Sequence, residues 1–198
     1  SLVFPQGDVI KLSEGGRLLF RFESNPSCNH FPSSLGNALV FSHENDLRSV
    51  YANLGTMVLF EEEDYLAQNT EIALSGNSGW HEKNAGLEFF VIDIKNKALI
   101  NPLLVLPMNH APLNFIIGKI FAQDGKGEYI EVSSGKAFKE GSYTFFREAS
   151  DPMPLFKSLV SINGNAVDTL SYDALFLWNQ ELALKSNKGV HLGFSRLY

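Results

Sequence analysis

The chain has 198 residues, 44% hydrophobic and 19% charged, enough for a real core in one large domain or two small ones. Its net charge of −6 argues against nucleic acid and anionic membrane surfaces as partners, because both select a basic face. No apolar run approaches the ~20 residues of a transmembrane helix, and Cys28, the single cysteine, has no mate for an internal disulfide.

The 16 Phe point to a β-rich, aromatic-packed interior. No signal peptide is visible. Ser1 is not an initiator methionine, which leaves room for a removed leader.

Residues 2–4 and 18–22 are short apolar pieces. The turn signal Glu14-Gly15-Gly16 between them predicts a hairpin or meander. Residues 25–34, rich in Asn, Pro and Ser, form a loop by composition. Residues 38–42 and 47–54 read as two strands joined by the turn His43-Glu44-Asn45-Asp46, hence a hairpin. The acidic run Glu61-Glu62-Glu63-Asp64 is a solvated loop or a first helical turn. Residues 71–74 form a short strand, and Ser75-Gly76-Asn77-Ser78-Gly79 is a tight turn.

Residues 86–93 form the next strand, closed by Lys95-Asn96-Lys97. Glu88 shares a face of it with Phe90 and Ile92, since side chains two apart point the same way. A carboxylate among large apolar groups is costly unless paired, protonated or at a strand end, so this strand carries a site or the remains of one. Asn101-Pro102 and a short apolar run to Pro107 follow.

Residues 108–112 read as a linker. Short strands at regular spacing come next, at 113–121, 129–132, 143–146 and 156–162, with a last one near 190–194. Turn chemistry punctuates them at Asp124-Gly125-Lys126-Gly127, at Asp151-Pro152-Met153-Pro154 and at Asn163-Gly164-Asn165. Residues 172–184 fit either a strand or a helix. The texture predicts a small β-sandwich. No internal repeat or low-complexity tract stands out.

The first part of the chain resembles lysostaphin-type (LytM-like) zinc endopeptidases, which cut peptidoglycan. Gly36 to Leu54 resembles their central hairpin, G-x-x-V-x-I-x-H-x-x-G-x-x-T-x-Y-x-H-L, with His43 and Tyr51 in place. Residues 72–79 resemble their I-G-x-x-G-x-T-G turn. Gly86-Leu87-Glu88-Phe89-Phe90-Val91 stands where the family has H-L-H-F-E-V, and Asn101-Pro102 resembles the N-P that follows. Residues 7–22 resemble the preceding strands more weakly. The likeness covers roughly residues 1–107.

The resemblance implies the fold and an envelope setting, periplasmic or otherwise extracytoplasmic. It does not imply the activity. The family binds zinc through H-x-x-x-D and the second His of H-x-H, and two further His assist the attack of a bound water. Here the Y-x-H histidine is Asn53, and the H-x-H pair is Gly86 and Glu88. The chain contains no H-x-x-x-D; its place falls at or before Ser1. An amide cannot act as general base, and one carboxylate on an apolar strand is not a zinc site.

The reading is therefore all-β: a lysostaphin-type peptidase-like antiparallel domain at 1–107, then a small immunoglobulin-like β-sandwich at 108–198. Its expected function is that of an inactive peptidase-like protein, without cofactor or metal, which binds peptidoglycan or a partner protein. The candidate groove residues are Tyr51, Asn53, Asn77, Trp80, His81 and Glu88. Trp80-His81 on a loop suits stacking against a sugar or peptide, although a loop aromatic folded onto its own domain is as ordinary. His43 reads as a turn or core histidine, and Cys28 as a small buried apolar residue. The alternative is a metallopeptidase that cuts peptidoglycan cross-links, its zinc ligands rebuilt from residues such as His30, His43, His81 and Glu88 or completed by residues before Ser1. A third reading is a purely structural envelope module.

Overall fold

The computed structural model describes residues 5–24, 33–61, 64–80, 85–106, 118–133, 137–148, 157–162, 164–186 and 189–192. Among these residues there is no α-helix. A 3-10 turn at Pro102–Leu104 is capped by Asn101, whose side chain accepts the Leu103 amide. The protein is all-β and antiparallel, as the strand-like runs and turn residues predict.

The chain forms two compact units, Ser1–Pro107 with Tyr172–Leu177, and Met108–Ser171 with Trp178–Tyr198. Unit 1 contains β1 (Val9–Lys11), β2 (Gly16–Phe22), β3 (Asn37–Ser42), β4 (Leu47–Met57), β5 (Tyr65–Leu66), β6 (Glu71–Ser75), β7 (Glu88–Asp93) and β8 (Ala98–Ile100). Its sheet runs β5-β2-β3-β4-β7-β8. Residues 174–176, in a later strand, pair with β8 through Ala174↔Ile100 and Phe176↔Ala98. The Asn101 amide also donates to Asp173 O at 2.7 Å.

The β3–β4 hairpin and β7 form where the sequence places them; β4 pairs with β7 in an unbroken register, and β3 with β4 with one shift between Asn37 and Leu39. Asn45 and Asp46 both adopt left-handed backbone in the hairpin turn, φ 58° and 59°, a conformation short polar residues tolerate.

The expected hairpin of the first two apolar pieces falls partly outside the described residues, and the described strand that follows Pro5 takes another partner. Residues 2–4 lie outside the described residues, and β1 pairs with β6, not with β2. The backbone around Leu12 explains this. Its amide donates to Thr70 O, its carbonyl accepts from the Asn69 amide, and the Ser13 amide bonds Tyr51 Oη, so the chain is tied to distant segments before it turns.

One face of the unit 1 sheet packs into a core of Leu18, Leu39, Phe41, Tyr51, Leu87, Phe89 and Val91, joined by Ile10, Leu12, Leu54 and Ile72 from the flanking strands. The alternation Leu87, Phe89, Val91 inward and Glu88, Phe90, Ile92 half-buried is the period of two that a half-covered strand shows. Phe41 and Tyr51 meet edge to face at 5.9 Å, and Tyr51 and Phe89 at 5.0 Å.

Unit 2 contains a three-stranded sheet, β10-β9-β11, from β9 (Ile120–Gln123), β10 (Tyr129–Glu131) and β11 (Thr144–Arg147). It also contains β12 (Lys157–Ile162) and β13 (Asn165–Ser171), a hairpin at the expected Asn-Gly turn. Residues 172–184 are strand, not helix: β14 (Ala174–Trp178) and β15 (Glu181–Ser186) flank Asn179 and Gln180 at φ 48° and 68°. Two successive left-handed residues end any helical repeat and are the signature of a tight hairpin turn. β16 (Gly189–Leu192) pairs with β15.

Candidate functional site

Asn53 occupies an irregular point of β4, where the β3–β4 register shifts between Asn37 and Leu39. Its φ is +61°, and Asn is among the few non-glycine residues that accept this readily. The residue is buried, 2% exposed. Its amide N–H donates to Leu35 O at 2.8 Å. Its side-chain nitrogen donates to Gly86 O at 3.1 Å and to Gly76 O at 3.3 Å, and its Oδ1 accepts the Gly79 amide at 2.9 Å. Two carbonyl partners and one N–H partner fix which end of the amide is nitrogen. The side chain is satisfied by the glycine turn and the approach to β7, and the backbone N–H by the loop before β3.

The glycine turn is held there by more than Asn53. Ser78 Oγ donates to Leu54 O at 2.6 Å and accepts the Asn37 amide at 2.9 Å. Gly76 must be glycine, because a Cβ would run into the backbone of Leu54 and Gly55. Gly36 sits at φ +64° against the backbone of Ser78 and Gly79 for the same reason. Gly86 bridges to Gly76, its amide donating to Gly76 O at 3.1 Å.

Tyr51 lies in the core. Its Oη accepts the Ser13 amide at 2.9 Å and is 2.8 Å from Ser13 Oγ. Burial pushes its pKa above the ordinary tyrosine value, partly offset by the bonds from Ser13. His43 is engaged on both ring nitrogens: Nδ1 is 2.9 Å from Gly15 O and Nε2 is 2.7 Å from Ser49 Oγ. Gly15 O can only accept, so Nδ1 carries a proton, and the Ser49 hydroxyl partners Nε2. His43, read from the sequence as a turn or core histidine, is a half-buried residue of the hairpin turn held on both ring nitrogens.

Glu88 is half-buried at the first position of β7, across from Ala52. Asn77 is exposed, and Trp80 is 67% exposed, its amide anchored on Ser34 O at 2.9 Å. His81, Cys28 and His30 lie outside the described residues. The network of Asn37 and Ser78 was missed in sequence reasoning. A Ser within a glycine turn and an Asn opening a strand carry no local signal for it.

The groups at the positions the resemblance assigns to one zinc ligand and to the two assisting histidines do not fit a catalytic zinc site. Such a site needs three protein ligands and an open position. Asn53 is spent on backbone bonds, Gly86 has no side chain, and Glu88 is a single carboxylate. No three His, Cys, Asp or Glu gather into a metal-holding group among the described residues.

A protein-family model matches residues 114–198. An uncharacterized protein of Treponema pallidum (strain Nichols) is 30% identical over 83 residues, 40% of this chain and 56% of that protein. The chain therefore spans little more than half the length of this curated relative. Among solved structures, the catalytic domain of a point mutant of the prophage-encoded protein EnpA from Enterococcus faecalis is similar at 15% identity and a TM-score of 0.39, over 46% of this chain and 64% of that one. The catalytic domain of lysostaphin from Staphylococcus simulans is similar at 18% and 0.38, over 46% and 62%. These solved neighbours are lysostaphin-type peptidases at low sequence identity. A complex of SpoIIIAH and SpoIIQ is similar at 23% and 0.38, over 50% and 62%. None of these likenesses assigns a role to a residue of this chain.

Proposed function

We propose that this chain is a catalytically inactive, peptidase-like protein of the bacterial cell envelope that binds peptidoglycan or a partner protein. The observation that carries this reading is the state of Asn53. Where the resemblance places a catalytic histidine, an amide is fully engaged in holding the glycine turn to β7. A side chain committed to three backbone partners neither titrates nor approaches a substrate. The envelope setting and peptidoglycan come from the sequence resemblance, and the two-domain division at 107/108 belongs to the same reading.

The rebuilt-zinc alternative asks His43 to leave both Gly15 and Ser49, which would strip partners from Ser49, a hydroxyl 2% exposed. The experiment is co-sedimentation of the full chain with purified peptidoglycan sacculi and with envelope extract, alongside a hydrolysis assay with zinc supplied. Binding to either without release of muropeptide supports the proposal. Released muropeptide, or binding to neither, removes it.

A further inference from the structure

One imidazole and three hydroxyl groups of unit 1 touch in a row. His43 Nε2 is 2.7 Å from Ser49 Oγ. Ser49 also hydrogen-bonds the Tyr51 hydroxyl, two residues along the same face of β4. Tyr51 Oη is 2.8 Å from Ser13 Oγ and accepts the Ser13 amide. Ser49 and Tyr51 are each 2% exposed, so the middle of the row is shielded from bulk water. Its two ends, His43 and Ser13, are half-buried. Ser13 and Tyr51 line a cavity of about 150 Å³ together with Lys11 and apolar side chains that include Leu87, Phe89 and Leu106.

Counting hydrogens leaves this row two arrangements. Each hydroxyl has one hydrogen to give, and one lone pair of the tyrosine oxygen is already committed to the Ser13 amide. His43 Nδ1 holds its proton toward Gly15 O. In a neutral ring Nε2 then accepts, so Ser49 donates to His43, Tyr51 to Ser49 and Ser13 to Tyr51. In a ring protonated on both nitrogens Nε2 donates, and every bond reverses: His43 to Ser49, Ser49 to Tyr51, Tyr51 to Ser13. The Ser13 hydrogen then leaves the row, beside the cavity.

The imidazole is the side chain that ordinarily changes charge between about pH 5 and pH 8. Both hydrogen-bond partners of the His43 ring are uncharged. The charged groups on the elements around it are exposed Glu14 and Arg17 beside Gly15 and Gly16, exposed Glu44, Asp46 and Arg48 in its own hairpin, and half-buried Asp93, opposite Leu47 and bonded to Asn96. Besides Tyr51, the nearby phenol is Tyr65, whose hydroxyl lies against Gly15.

We propose that His43, Ser49, Tyr51 and Ser13 form a proton-reversible relay, in which a proton taken up by His43 frees the Ser13 hydroxyl to donate into the cavity. An acceptor oxygen in that cavity, from water or a ligand, is then favoured by acid. The relay goes beyond the binding reading and does not depend on it.

The test follows the His43 ring in the full chain with isotope-labelled histidine, by long-range proton–nitrogen spectra from about pH 8 to about pH 5. Its signals are identified among the 5 His by their loss in His43→Gln. The ring should carry its proton on Nδ1 at the alkaline end and on both nitrogens at the acid end. Ser13→Ala keeps the backbone donor and removes the acceptor that the reversed row needs for the Tyr51 hydrogen. That penalises the protonated state more than the neutral one, where only a lone pair goes unmet. The His43 midpoint should fall by about half a pH unit or more in Ser13→Ala and in Ser49→Ala. Ser13→Thr restores the hydroxyl and should restore the midpoint. A histidine held only for packing would respond to Ser49→Ala alone.

Ser13 is half-buried, so its variants should fold, and circular dichroism verifies it. A midpoint unmoved by Ser13→Ala, or not restored by Ser13→Thr, overturns the relay. So does a ring protonated on Nε2 alone at the alkaline end, or one that stays neutral throughout.

Discussion

The Asn53 side chain reaches the Gly86 carbonyl at 3.1 Å, so one buried amide joins β4 to the opening of β7. In the resembled family both positions are histidines of the reaction centre. In this chain Asn53 is a structural clasp, and Gly86 supplies the backbone that it clasps.

Asn53→Ala should cost about 2–4 kcal/mol. The substitution leaves buried carbonyls and the Gly79 amide without partners, and puts alanine at positive φ. Asn53→His should also destabilise, because a neutral imidazole has one donor and cannot serve both carbonyls. Urea unfolding followed by Trp80 fluorescence in a Trp178→Phe background reads unit 1 alone, since the chain has 2 Trp. An Asn53→Ala protein as stable as the parent would contradict the clasp.

Gly76→Ala should be comparably harmful, about 2–4 kcal/mol, because its Cβ meets backbone that cannot move aside. Gly125→Ala, with open space around the new methyl, is the control and should leave the urea midpoint in place.

The buried Tyr51 hydroxyl makes a pH prediction. Its folded pKa lies above the unfolded value of 10.0, so the neutral form is favoured in the native state. That contribution is fully present below about pH 10 and is lost as pH rises through the folded pKa. The parent should lose stability in this alkaline window, and Tyr51→Phe should lose less of it, while being weaker at neutral pH by about 1 kcal/mol for the lost bonds to Ser13. Identical alkaline profiles for the two proteins would exclude Tyr51 as the source.

Trp80→Ala should leave stability within about 0.5 kcal/mol, because the indole is 67% exposed. It should weaken ligand capture if the glycine-turn loop takes part in binding. Unchanged co-sedimentation with the captured ligand would remove that loop from the site.

The legible parts of this fold were those whose signals are local. The β3–β4 hairpin announced itself by two apolar runs around Asn45-Asp46, and the glycine turn and β7 by their spacing. The β1–β6 pairing was invisible because it is set by bonds from Leu12 and Ser13 to residues far along the chain. Residues 172–184 stayed open between strand and helix because a short apolar run fits both periods, and only the left-handed pair Asn179-Gln180 decides it.

In the site, the resemblance located Asn53 and Glu88, but not what they do. Every residue from Ser49 to Leu54 is buried, so alternation could not tell which side of β4 faces the core. Tyr51 and Asn53, both expected to line a groove, turn inward to Ser13 and to the glycine turn.

The central claim is that the zinc site is dismantled. It is tested by elemental analysis of the full chain after equilibration with zinc and exhaustive dialysis. The account predicts no zinc above the buffer level, unchanged in Glu88→Ala. One zinc per chain, lost in Glu88→Ala, would contradict it and show that a new ligand set has formed around that carboxylate.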